Sequence, residues 1–294
     1  MHARFHSIIA LTVASVATVA ASRGAGQGAR PAAPVPRLSC QYADRARDAL
    51  GRAELPGHFT VAITRDTGAV ETECVAAVFD SGGSVVYREG AFAAAVDSAT
   101  GWDVDGDGTP ELVLRRDTGG GNHCCPVFTV ITLGRPARRL LEYNWAGAAW
   151  FERNDRGAVT LWSWEGGFFG PDGTMAGRIF AQRVYRVSAG TLADATPDHC
   201  ERIIAESRFP SDPADSARLR VLATSRRALD SLAYLAADIQ GRMLQFIFCR
   251  RFNEALAVAN TWWPATDRRR MIPEFSEMVT RAYPEYAAAL HGWR

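Results

Sequence analysis

An acidic loop at residues 103–111 carries the strongest chemical signal in the chain. Carboxylates stand at its first, third, fifth and ninth positions, which are Asp103, Asp105, Asp107 and Glu111. Gly106 and Gly108 permit the positive φ angles that so tight a turn needs. Because these carboxylates would repel one another without a cation, the loop predicts one structural calcium ion, which takes about six to eight hard oxygen ligands. A backbone carbonyl near Thr109 would supply a further ligand.

This loop differs from an EF-hand. Its twelfth position is Leu114, where an EF-hand requires a bidentate glutamate, and the residues after Glu111 are typical of a strand. The pattern Asp-x-Asp-x-Asp-Gly-x-x-Glu before a strand resembles the calcium loop of FG-GAP and VCBS-type β-propeller repeats. With the segment Gly119–Cys125, it is similar to a group of uncharacterised exported bacterial proteins. The resemblance covers a single short repeat, and it implies a calcium-stabilised β structure without a catalytic role.

The cysteines predict disulfides. The chain has six of them, Cys40, Cys74, Cys124, Cys125, Cys200 and Cys249. An even number in an exported chain favours disulfides over free thiols. We expect Cys200 to pair with Cys249, because both fall in the helical C-terminal region. A vicinal bond between Cys124 and Cys125 would leave the remaining two to pair with each other, and crosswise pairing of these four stays open.

Residues 1–22 predict a signal peptide. The uncharged run at residues 8–21 is shorter than the roughly 20 apolar residues of a membrane span, and small residues at its end suit a signal peptidase. Residues 23–38 are rich in Gly, Ala and Pro, which predicts a flexible spacer. We therefore expect an exported protein, periplasmic or secreted, with no membrane span after signal cleavage.

The type of secondary structure that the sequence predicts changes from strands to helices near residue 195. Residues 39–195 predict an antiparallel β meander, arranged as a sandwich or as propeller-like blades, and residues 196–294 predict an all-helical subdomain, so the expected class is α+β. A short helix from Cys40 to Arg52 is expected first, with Ser39 as its N-cap. Helix breaks are expected near Arg250 and Pro284. The expected strands are His58–Arg65, Cys74–Asp80, Ser84–Arg88, Glu111–Arg116, Val127–Leu133, Arg138–Tyr143, Trp150–Arg153, Ala158–Trp164 and Arg178–Val187.

Aromatic side chains cluster between Trp145 and Phe169. Trp162 and Trp164 share one face of a predicted strand, and Phe168 and Phe169 follow on a Gly-rich loop. Large rings usually pack in small β cores, which is the first interpretation. The second is a stacking platform on which these four rings bind a sugar or a peptide.

Composition excludes several classes of function. The 33 basic and 32 acidic residues leave a net charge of +1, which gives no broad footprint for nucleic acid. Every basic residue is an arginine, so a Schiff-base lysine and a P-loop lysine are excluded. The His-Glu-x-x-His and Gly-x-Ser-x-Gly motifs of zinc and serine hydrolases are absent from the sequence.

We therefore favour an exported, non-enzymatic binding or interaction module for an unknown protein, peptide or glycan. A tetratricopeptide-like helix hairpin at residues 244–256 supports this interpretation. One alternative is a hydrolase that acts on an extracellular polymer at the aromatic cluster, with carboxylates drawn from Glu142, Glu152, Asp155, Glu165 and Asp172. A second alternative is a thiol or copper-handling protein built on His123-Cys124-Cys125 and His199-Cys200.

Overall fold

The computed structural model describes residues 35–41, 45–66, 68, 73–119, 126–145, 147–168, 179–207, 209, 213–222 and 233–293. These ranges contain 13 strands in three antiparallel sheets, followed by helices, which confirms the expected α+β class. The predicted signal peptide and residues 23–34 of the predicted spacer lie outside the described residues.

The strands form a central sheet, an outer sheet and a helix-side sheet. The central sheet has the order β1-β6-β7-β8-β9, with β1 (Ser39–Cys40), β6 (Ala93–Val96), β7 (Glu111–Asp117), β8 (Pro126–Thr132) and β9 (Arg138–Asn144). The outer sheet contains, in order, β2 (Gly51–Leu55), β3 (Phe59–Arg65), β4 (Cys74–Phe79) and β5 (Val85–Ala91). The helix-side sheet contains β10 (Ala149–Arg153), β11 (Val159–Phe168), β12 (Ile179–Ser188) and β13 (Thr191–Asp194).

All nine expected strands are present, each within a few residues of its predicted bounds. The predicted helix from Cys40 to Arg52 is wrong. Cys40 ends β1, residues 45–47 form a 3-10 turn, and β2 begins at Gly51. Cys40 pairs with Ala94 across the central sheet and forms a disulfide with Cys74. These tertiary contacts outweigh the weak helix propensity of the segment.

Both faces of the central sheet are buried, and β7 shows why. Successive side chains of a strand point to opposite faces. Leu112 and Leu114 pack in one core with residues of the outer sheet, such as Val61. Val113 packs in a second core with residues of the helix-side sheet, such as Leu161. The continuous apolar run of β7 is therefore typical of a strand covered on both faces.

Helices follow the strands from residue 196 onward, with bounds α1 (Thr196–Glu206), α2 (Pro213–Leu222), α3 (Ala233–Phe248), α4 (Phe252–Trp262), α5 (Ala265–Ala282) and α6 (Ala287–Leu290). The predicted break near Arg250 is confirmed between α3 and α4, and the break at Pro284 coincides with a 3-10 turn. In the described part of the chain, no helix combines the length and apolar character needed to cross a membrane.

Two disulfides connect these layers. Cys40–Cys74 joins the central sheet to the outer sheet, and Cys200–Cys249 joins α1 to the end of α3. The expected pairing of Cys200 with Cys249 is thus confirmed. The Cys40–Cys74 bond is the one expected if Cys124 and Cys125 pair with each other, and those two residues lie outside the described chain.

Candidate functional site

The acidic loop is held in place by the start of β7. The Glu111 amide donates to the Trp102 carbonyl at 2.8 Å, and the Gly101 amide donates to the Glu111 carbonyl at 2.7 Å. Val104 is buried in the core between the central and helix-side sheets. The buried Val104 side chain in the middle of the loop and the two backbone hydrogen bonds of Glu111 at its end therefore fix the backbone between them.

The loop gathers three of its carboxylates. One oxygen each from Asp103, Asp105 and Glu111 lies within 4.8 Å of the others. Asp107 lies outside this group, and its Oδ1 accepts a hydrogen bond from the Thr109 amide at 2.7 Å. Of the five residues predicted to bind the cation, the structure thus brings the first two aspartates and the glutamate together.

Two glycines make the turn, as the sequence predicts. Gly106 has φ +78° and Gly108 has φ +88°, in the region where a side chain is strained. In this conformation, backbone N–H groups of the turn donate hydrogen bonds to the aspartate carboxylates. The Gly108 amide donates to Asp103 Oδ2 at 3.0 Å, and the Asp107 amide donates to Asp105 Oδ1 at 3.2 Å.

Glu111 is the unusual member of the group, because its side chain is 0% exposed. Its Oε2 accepts from the Val104 amide at 2.5 Å. Within the described residues, Glu111 Oε1 and Asp103 Oδ1 are buried and have no hydrogen-bond partner. Burial raises the pKa of Glu111 to about 8, with the nearby aspartates contributing, and burial also raises the pKa of Asp105. A buried carboxylate oxygen without a donor is unfavourable unless a cation approaches it.

The predicted ligand platform fails for Trp162, because this ring is only 1% exposed. It stacks on Trp150 with ring centroids 6.0 Å apart, as the core interpretation expects. Trp164 is half-buried and lines a groove. Phe169 and the side chain of Phe168 lie outside what the structure describes.

Most described residues of the two alternative functions have structural partners, whereas Asp155 is an exposed turn residue. Glu142 forms an ion pair with Arg139 at 2.6 Å, and Glu152 forms one with Arg202. Glu165 accepts from the Tyr143 hydroxyl at 2.8 Å. For the thiol hypothesis, the Cys200 sulfur lies in a disulfide and supplies no thiolate. Asp172 and the segment His123–Cys125 lie outside the described residues.

Sequence reasoning missed the groove that Trp164 lines. Its volume is about 440 Å³, and its other walls include Phe180, Phe209 and Arg242. These residues come from β12, from the segment after α1 and from α3. Because they are far apart in the chain, no local spacing could identify them.

Compared with known proteins, the chain matches no protein-family model, no curated protein and no solved structure.

The chemistry of the acidic loop follows from its own atoms, which are hard carboxylate oxygens, two of them buried without a hydrogen-bond partner among the described residues. Such oxygens suit calcium, whereas thiolate and imidazole ligands suit zinc and copper.

Proposed function

We propose that the acidic loop binds one calcium ion, and that the ion stabilises an exported, non-enzymatic binding module. The observation that carries this proposal is the buried Glu111 carboxylate, whose Oε1 has no partner among the described residues and which has one oxygen within 4.8 Å of carboxylate oxygens from Asp103 and Asp105. A cation there would meet three negative groups and satisfy an oxygen that has no donor among the described residues. The backbone carbonyl near Thr109 and water would complete the shell.

Calcium suits this loop better than magnesium. The three carboxylates sit on a turn rich in glycine, and two of them are partly exposed. Calcium accepts irregular shells of variable ligand number, whereas magnesium demands near-ideal octahedral geometry. We therefore expect calcium to bind well and magnesium to substitute poorly.

A structural role fits the position of the loop. Glu111 begins the strand at the middle of the central sheet, and Val104 enters the core beside it. Fixing the loop would therefore fix the entry of β7. The described disulfides support export, because such bonds persist in oxidising compartments. The partner in this proposal is an unknown protein, peptide or glycan.

The test is the thermal response of the oxidised protein to calcium. Binding to the folded state alone stabilises by about 2.7 kcal/mol at a hundredfold excess over Kd. For a domain of this size that corresponds to a rise in Tm of roughly 5–10 °C. Glu111→Gln should abolish the rise, and Asp155→Asn, in the exposed β10–β11 turn, should leave it unchanged. Equal Tm values in saturating calcium and in chelator, with no heat in a calorimetric titration, would overturn the proposal.

A further inference from the structure

The groove beside Trp164 has aromatic walls. Trp164 of β11, Phe180 of β12 and Phe209 line it on the side of the sheet and of the segment after α1. Helix α3 closes the opposite side and approaches the sheet closely at Gly241, where an added Cβ would lie 2.9 Å from the Phe180 carbonyl oxygen. A cavity of about 440 Å³ with several rings suits a small ligand with flat apolar faces.

Arg242 supplies positive charge to this groove. Its Nη1 donates to the Ser207 carbonyl at 3.3 Å and to the Ser207 hydroxyl, and its guanidinium stacks 4.6 Å from the Phe246 ring centroid. Its side chain is half-buried, and no carboxylate among the described residues forms an ion pair with it. Burial, and after it the Arg251 cation, lower the pKa of Arg242.

The buried arginines Arg116 and Arg183 differ in this respect. Arg116 forms an ion pair with Glu89 at 2.6 Å, and Arg183 forms one with Asp194 at 3.3 Å. A buried cation without a counter-charge is unfavourable, and an anionic group that reaches it forms a strong, charge-assisted hydrogen bond. Arg242 is therefore the residue in the groove that an anionic ligand would pair with.

We infer that this groove binds a glycan that carries a carboxylate, with Arg242 pairing the uronate group and the aromatic rings stacking against the sugar. The inference rests on the proposed function as a binding module and names its ligand class. Sugars present apolar C–H faces to aromatic rings and hydroxyl groups to the polar side chains around them.

The remaining charges argue for a sugar acid rather than a polyanion. Glu206, which forms an ion pair with Arg202 at 2.8 Å, and Asp238 also line the groove, so its wall carries two carboxylates as well as Arg242. Carboxylates disfavour a densely anionic ligand, and the lone pairs that an ion pair leaves open accept hydrogen bonds from sugar hydroxyls. One carboxylate among several hydroxyls is the composition that matches this wall.

The main chain beside the groove argues against an extended peptide. Gln245 of α3 covers the edge of β12, because its amide accepts from the Gln182 amide at 2.8 Å and donates to the Gln182 carbonyl at 3.0 Å. A peptide that binds by adding a strand needs free main-chain groups along such an edge. At this point of β12 they are occupied by the glutamine.

The first experiment uses the oxidised, calcium-loaded protein and four probes in calorimetric titrations. The probes are a galactose trisaccharide with one galacturonate residue, the methyl ester of this acid, a neutral galactose trisaccharide and an acidic tripeptide. We expect the acid to bind about tenfold or more tightly than its methyl ester, because esterification removes the ligand charge without any change in the protein. Equal affinities for the acid and the ester, no binding at millimolar acid, or tighter binding of the peptide would each overturn the inference.

The second experiment locates the site. Arg242→Gln should weaken binding of the acid about tenfold or more, and Trp164→Leu should weaken binding of the acid and of its ester alike. Arg186→Gln is the matched control, because Arg186 is an exposed β12 residue paired with Asp198. Unchanged binding in both groove variants contradicts the assignment. The calcium-dependent rise in Tm is measured on the same samples, so absence of sugar binding by the wild-type protein with that rise intact refutes the groove and leaves the metal proposal standing.

Discussion

At the residue scale, Glu111 combines two roles that have opposite electrostatic consequences. As the first residue of β7 it is buried in the middle of the fold, and as part of the acidic loop it faces Asp103 and Asp105. Burial favours the neutral carboxylic acid, whereas a bound cation favours the carboxylate. The ionisation of this one side chain therefore reports whether the loop holds a metal.

The metal-free protein should lose stability as pH rises. The pKa of Glu111 is raised from 4.5 to about 8, so the folded state holds a proton that the unfolded state releases. The resulting stabilisation is complete below pH 4.5 and is lost as pH rises through about 8. Urea unfolding of metal-depleted protein between pH 5 and pH 8.5 measures this slope.

Two comparisons identify the cause of that slope. Glu111→Gln removes the titrating group and should flatten the decline, and saturating calcium should remove it in the wild-type protein. A decline of equal size in wild type and Glu111→Gln would show that other groups are responsible.

At the element scale, the contact between α3 and β12 joins the helices to the sheets. Gly241 permits the close approach of the helix. The side-chain amide of Gln245 forms the two hydrogen bonds with the Gln182 backbone that a neighbouring strand would otherwise form. Ile179 and Ala181 of β12 share one buried core with residues of α3 such as Ile239. This contact also shapes one wall of the groove.

Gly241→Ala should destabilise the protein, against the ordinary helix preference. In a helix interior, alanine is more favourable than glycine by about 1 kcal/mol. Here the added methyl would lie 2.9 Å from the Phe180 carbonyl oxygen, so α3 and β12 must separate, at a cost of about 1–3 kcal/mol. Gly292→Ala meets no atom within 4 Å and serves as the control in urea unfolding. A stabilised Gly241→Ala variant would contradict the close contact.

The elements also show what a sequence can and cannot predict. Strands with alternating or continuous apolar residues, such as β7, can be predicted from the sequence because their pattern lies within a few consecutive residues. The alanine-rich β6 escapes prediction because alanine has low strand propensity, and its partners are distant in the chain. The acidic loop is predictable because its carboxylates lie within one short segment of the chain. The burial of Glu111 and the groove around Arg242 are not, since both depend on how separate elements pack.

At the scale of the whole molecule, three sheets and a set of helices form successive layers, and the two described disulfides each join different elements. Cys40–Cys74 closes a loop of 34 residues between the central and outer sheets. Cys200–Cys249 closes one of 49 residues between α1 and the end of α3. In the chain-entropy model each closure restricts the unfolded chain by about 4 kcal/mol.

Removing either disulfide should therefore lower the free energy of unfolding by about 2–4 kcal/mol, and the two losses should add, because the bonds lie in different layers.

The test is urea unfolding of Cys40→Ala/Cys74→Ala, of Cys200→Ala/Cys249→Ala and of the variant with all four changes, each in saturating calcium. The Cys200→Ala/Cys249→Ala variant should keep the full calcium-dependent rise in Tm. The hydrogen bonds given above for the acidic loop join it to the start of β7, and none of them involves α1 or α3. A loss below about 0.5 kcal/mol for either pair would contradict the entropic role, and disappearance of the calcium response in that variant would show that the helices and the loop form one cooperative unit.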